Sequence, residues 1–234
     1  MYPLAAPRLQ WRRVDAPELT ESVAERAGLS RIFEAQQDGP RVREIQIVGY
    51  GTLLYRASLG HTIGGETAAV REMRPVLVRD FRRLFNLRPD HYESSAKIDA
   101  RGIENGAMNV EPAPGCTVNG LAFRVAESEL DELDRRERYY LRVNVDLYDF
   151  ESGEWLAEGG IYSASPDAPW LERDPDRLLP RWQDIEWARA GAYAVSRRFG
   201  EYFDRTTFLA DGRTAVADRY REFLAAPETE GSPP

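Results

Sequence analysis

The sequence predicts an α+β fold: a small, strongly curved mixed β-sheet or barrel flanked by helices, with helical extensions at both ends. Three observations carry this. Short runs with apolar residues at every second position recur between Arg43 and Ser163, the period of half-buried strands. Glycines punctuate those runs, and short glycine-broken strands favour a curved sheet with a cavity at its mouth. Helical patterns fall among them without regular βαβ alternation, which argues against a doubly wound parallel sheet.

The elements follow in order. Residues 1–43 read as an N-terminal extension of one or two helices. Leu19, Val23, Ala27, Ile32 and Phe33 fall at helix-like intervals, and Gly39-Pro40 stops the pattern. Residues 44–165 form the core. Ile45 and Ile47 lead a strand into the turn Gly49-Tyr50-Gly51-Thr52-Leu53, and a second strand spans 73–85. Residues 86–106 are polar and turn-rich, a surface loop. Strands at 107–110 and 118–125 flank a Pro112-Ala113-Pro114-Gly115 turn. A helix over 128–138 is capped by Ser128, with Glu129, Asp131 and Glu132 in the first turn, where the helix dipole favours them. Strands follow at 141–147, where Leu141, Val143, Val145 and Leu147 alternate with polar residues, and at 155–163. Residues 166–226 pack on the core. The stripe Ile185, Ala188, Ala192, Val195, Phe199 and Phe203 marks one long amphipathic helix over 182–204, and a short helix ends near Ala226. Residues 227–234 are a polar Pro/Gly/Ser tail, expected to be disordered.

Composition narrows the function. The 234 residues are 42% hydrophobic and 30% charged, and the net charge is −8. An acidic chain is a poor partner for nucleic acid or an anionic membrane. Cys116 is the only cysteine and there are two histidines, so neither a disulfide framework nor a His/Cys zinc site is expected. With no apolar run near ~18 residues and no signal-peptide pattern, a cytoplasmic protein is expected. Lys97 is the only lysine and has no context for Schiff-base chemistry. His61, His91 and Cys116 lack partners for a nucleophile system.

Three features can carry chemistry. Glycines on both sides of Tyr50 let the backbone approach a ligand and present successive N–H groups as an anion nest. The same pattern also serves as a plain strand-to-loop connector. Glu137 shares a helix face with Leu130, Leu133 and Asp134 by its three-and-four spacing. A carboxylate carried inward on that face gains a raised pKa suited to proton transfer, whereas one paired with Arg142 or another arginine does not. Asp134 is the rival carboxylate, with Arg138 as a surface partner at i+4. Tyr139, Tyr140 and Asn109 supply hydrogen-bonding groups for a polar ligand or for the core.

In order along the chain, several segments resemble the γ-glutamylcyclotransferase-like family, which includes AIG2-like proteins. Val48-Gly49-Tyr50-Gly51-Thr52-Leu53 is similar to its Tyr-Gly-Ser/Thr loop, and Arg79–Asn86 resembles the arginine-rich strand that follows. Met108–Pro112 and Val118–Phe123 resemble its Asn…Pro…Val-x-Gly strand pair. Leu130–Glu137 and Tyr140-x-Arg142-Val143 resemble the helix bearing its catalytic glutamate and the strand behind it. The resemblance implies conversion of a small γ-glutamyl peptide or amine to 5-oxoproline and a free amine, without cofactor or metal. Under it Glu137 is the acid/base, and Tyr50, Gly51, Thr52, Leu53, Asn109 and Tyr140 bind substrate. A non-catalytic metabolite-binding or interaction protein of the same fold, and a hydrolase releasing glutamate, are the competing readings. The leaving group and the oligomeric state are not readable from the residues.

Overall fold

The computed structural model describes residues 44–63, 72–88 and 103–219. The expected N-terminal helices, the 227–234 tail, His91 and the helix ending near Ala226 lie outside them.

The strands are β1 (Glu44–Gly49), β2 (Arg74–Leu87), β3 (Glu104–Ala126), β4 (Leu141–Asp149), β5 (Trp155–Ser163), β6 (Leu178–Pro180) and β7 (Thr207–Phe208). The helices are α1 (Arg56–Ile63), α2 (Glu127–Arg136), α3 (Trp182–Val195), α4 (Arg197–Arg205) and α5 (Val216–Arg219). The strand order is β6-β3-β1-β5-β4-β2-β7, and β2 also pairs with β3. That extra pairing closes β3, β1, β5, β4 and β2 into a ring. The expected curved sheet is thus a five-stranded barrel, mixed in direction because β1 runs parallel to β5 and the other ring pairs are antiparallel.

Alternation along β1 explains how both of its faces are filled. Val48 points into a core with Val76, Val78, Phe85, Val118, Leu147 and Ile161, which α3 and α4 cover with Ile185, Ala188, Ala192, Phe199 and Phe203. Ile47 faces the other way, into a cluster with Leu53, Leu59, Phe123, Leu130 and Leu133 under α1 and α2. Each such fully buried aliphatic or aromatic side chain contributes about 1.5–3 kcal/mol.

Four expectations need correction. The residues from Asn86 do not begin a loop: Asn86 and Leu87 complete β2 in full burial, and β3 begins at Glu104, opposite β6. The Pro112–Gly115 turn does not separate two strands. It bulges from continuous β3 opposite Asp80, whose φ is +62°, and the Asp80 carboxylate accepts from Gly115 N–H at 2.9 Å. The helix expected at 128–138 spans Glu127–Arg136: its N-cap position is Ala126, and the Glu129 carboxylate accepts from Ala126 N–H at 3.0 Å. Finally, the helix expected at 182–204 breaks at Ser196. That residue is extended (φ −170°, ψ 159°), and its Oγ accepts from Phe199 N–H at 3.1 Å, capping α4.

Candidate active site at the barrel mouth

β1 ends at Gly49 because the chain folds back on itself there. A Cβ on Gly49 would lie 2.8 Å from Leu53 Cβ, so only glycine allows the tight 3₁₀ turn Thr52–Leu54. The turn's own hydrogen bonds begin with Leu54 N–H to Gly51 O (2.9 Å) and Tyr55 N–H to Thr52 O (3.1 Å). The N–H groups of Gly51, Thr52 and Leu53 precede them and have no carbonyl partner among the described residues. Gly51 itself has φ −119°, so it is not held by a left-handed conformation; its missing Cβ would meet Met108 Sδ at 3.3 Å.

The turn is fixed from two sides. From within the barrel, fully buried Arg83 donates through Nη1 to Tyr50 O and Asn119 O, both at 3.0 Å. Its other hydrogens reach Asn119 Oδ1 (2.7 Å), Thr206 Oγ1 (3.0 Å) and Thr207 Oγ1 (2.9 Å), and its guanidinium lies 4.0 Å from the centre of the Phe203 ring. Burial without an ion pair pulls its pKa down to about 9. In a trans peptide the C=O and the following N–H point oppositely, so drawing Tyr50 C=O toward Arg83 turns Gly51 N–H away from it. From outside, α3 presses on the turn: a Cβ at Gly191 would stand 2.5 Å from the Leu54 carbonyl carbon and oxygen.

Beside this turn lies a cavity of about 230 Å³. It brings together Tyr50, Gly51, Thr52, Leu53, Glu137 and Tyr140 from the sequence reading, along with Arg136, Tyr162, Arg181, Asp184 and Trp187. Glu137 sits just past the end of α2, its N–H bonded to Leu133 O at 2.9 Å, and its side chain is 15% exposed. Burial raises its pKa above the ordinary glutamate value, and neighbouring Arg136 opposes the rise. The glutamate's partner is therefore Arg136, with Nε 3.1 Å from Oε1, and not Arg142. Asp134 instead takes Arg142 at 3.1 Å and the Tyr162 hydroxyl at 2.5 Å, so its expected pairing with Arg138 is corrected too.

The phenols are anchored. Tyr50 donates to Tyr162 O at 2.7 Å and Tyr140 to Met108 O at 2.7 Å. Burial, and next the nearby Glu137 charge, push the Tyr50 pKa well up, so it remains a neutral donor. Asn109 does not line the cavity. Its amide is a buried bracket, donating to Asn86 Oδ1 at 3.0 Å and accepting from Ala164 N–H at 2.9 Å. Arg181, Asp184 and Trp187 were missed because they arrive from α3 and the residue before it, more than 40 positions from Glu137. Arg83 was missed because an arginine in a strand reads as solvent-facing.

Two solved structures have the same architecture. A γ-glutamyl cyclotransferase superposes with a TM-score of 0.50 at 17% identity, covering 69% of this chain and 86% of its own. An uncharacterized human protein, loc79017, gives 0.51 at 17%, covering 68% and 86%. The fold is γ-glutamylcyclotransferase-like. No family model and no curated protein matches the sequence. In this γ-glutamylcyclotransferase-like barrel, the turn and Glu137 line the same cavity. Among the described residues no helix is long and apolar enough to cross a membrane.

Proposed function

We propose that the chain is a γ-glutamyl cyclotransferase, acting on a small γ-glutamyl peptide or amine. One observation carries the reading: Glu137, a largely shielded carboxylate, and a turn whose Gly51, Thr52 and Leu53 N–H groups have no carbonyl partner among the described residues line one cavity. The name of the structurally similar cyclotransferase supports it.

In this reading the Gly51–Leu53 N–H groups hold the substrate's α-carboxylate or the oxyanion that develops on the γ-carbonyl. The cavity folds the γ-glutamyl chain so that its α-amine reaches that carbonyl, which supplies the proximity an intramolecular attack needs. Glu137 takes one proton from the α-ammonium, which frees the lone pair that attacks the γ-carbonyl and forms the new C–N bond. It returns that proton to the amide nitrogen as the old C–N bond breaks, and the second proton shed by the ring nitrogen goes to the released amine, leaving 5-oxoproline and an ammonium product. One carboxylate serves both transfers and no water is consumed.

The test is mass-spectrometric detection of 5-oxoproline from a panel of γ-glutamyl amino acids, γ-glutamylamines and glutathione. Glu137→Gln is expected to keep the fold and to lower turnover by about 10²–10⁴-fold, the usual worth of a general acid/base. Equal product from wild type and Glu137→Gln would overturn the assignment. Release of free glutamate would make the chain a hydrolase, and binding without turnover would make it a metabolite-binding protein.

A further inference from the structure

Arg136 touches more of the site than any ordinary ion-pair partner would. Beyond its contact with Glu137 Oε1 at 3.1 Å, Nη1 donates to Ser58 O at 2.8 Å. Nη2 donates to Ser58 Oγ at 3.0 Å and to Thr52 Oγ1 at 3.3 Å. Its side chain is 25% exposed and forms part of the cavity wall. One planar guanidinium thus joins the end of α2, the binding turn, the start of α1 and the buried carboxylate.

We propose that Arg136 is a positioning residue that uses its fork to fix the Glu137 carboxylate at a set place relative to the Tyr50–Leu53 turn. The inference rests on the reading of Glu137 as proton shuttle and adds what keeps it usable. A buried carboxylate is driven toward its protonated form, which cannot accept the substrate's ammonium proton. The adjacent cation opposes that drift. Among the described residues, the other titratable groups around the cavity are Tyr50 on the turn, Tyr139 and Tyr140 after α2, Tyr162 on β5, and Arg181 and Asp184 at the start of α3. Arg181 and Asp184 pair with each other at 2.5 Å, and the phenols of Tyr50 and Tyr162 are pushed upward, so both are neutral near pH 7. Arg136 is accordingly the cation that bears directly on Glu137. A lysine there would keep the charge but could not span Ser58, Thr52 and Glu137 together.

The experiment is a carboxyl ¹³C titration of Glu137, followed by NMR in wild type, Arg136→Gln and Arg136→Lys, beside pH profiles of kcat and KM for any γ-glutamyl compound turned over. Arg136→Gln is expected to raise the Glu137 midpoint by about 1–3 pH units, the usual effect of losing an opposite charge at this range. The acid limb of kcat/KM moves up with it, so turnover partly recovers at higher pH. Arg136→Lys is expected to leave the midpoint near wild type while kcat falls at every pH. In Arg136→Gln, an unchanged midpoint overturns the proposal, as does a loss of turnover that is uniform with pH. If wild type turns nothing over, the titration still decides the role of Arg136, and only the cyclotransferase reading falls.

Discussion

Burial and Arg136 act on Glu137 in opposite directions, and burial is the larger. The folded pKa is therefore above the unfolded one. An acid shifted this way binds more protons folded than unfolded, so its contribution to stability is fully present in acid and is lost as pH rises through the folded pKa. Glu137→Gln removes that loss. The variant's melting temperature is expected to rise relative to wild type as pH increases from about 4 to 8, with no gain at the acid end; a pH-independent difference would refute this. Asn109 belongs to a different class. Asn109→Ala breaks the bracket between β2, β3 and the end of β5, taking the donor from Asn86 Oδ1 and the acceptor from Ala164 N–H. It is expected to lower the denaturation midpoint by an amount equivalent to about 1–3 kcal/mol. Helical spacing with Leu130 and Leu133 offered an inward Glu137 beside an arginine-paired one, and the folded chain has it do both, lining the cavity while pairing with Arg136. The sequence misassigned Asn109 because a buried amide suits a ligand and a neighbouring strand equally, and only three-dimensional placement separates the two.

Elements meet the site at their ends, and those ends set two expectations. Ser196 caps α4 and turns the chain so that Phe199 and Phe203 stay on the barrel after Ala192. Ser196→Ala is expected to cost about 1 kcal/mol in chemical denaturation, the ordinary loss of an N-cap. α3 leans on the Tyr50–Leu54 turn through Gly191, where a methyl group would overlap the Leu54 peptide. Gly191→Ala is expected to destabilise by about 1–3 kcal/mol and, under the proposed function, to weaken binding of a γ-glutamyl ligand by displacing the turn; unchanged affinity by calorimetry would show that the turn tolerates the shift. The strands were legible from their period of two. The break at Ser196 was not, since the apolar stripe keeps its three-and-four spacing across it. The bulge at Pro112–Gly115 has the same residues as a hairpin turn, and pairing on both of its sides is visible only in the folded chain.

At the scale of the molecule, Arg83 links β2 to the turn, to β3 through Asn119, and to the α4–β7 junction through Thr206 and Thr207. Arg83→Met has nearly the right length but takes the guanidinium's donors from all five of those acceptors, so a loss of about 2–4 kcal/mol is expected, read as a lower denaturant midpoint. An unchanged midpoint would mean that the network only fills space. Closure of β1–β5 into a ring has one more consequence. An open sheet offers its outermost strands as templates on which other copies of a chain can add, and that route leads to fibres. Here the pairing of β2 with β3 consumes both long borders. Among the described residues the strands left outermost are β6, three residues ending in Pro180, and β7, two residues long. Neither gives an incoming strand enough ladder to hold, so the closure that shapes the cavity also guards the folded chain against self-association through its sheet.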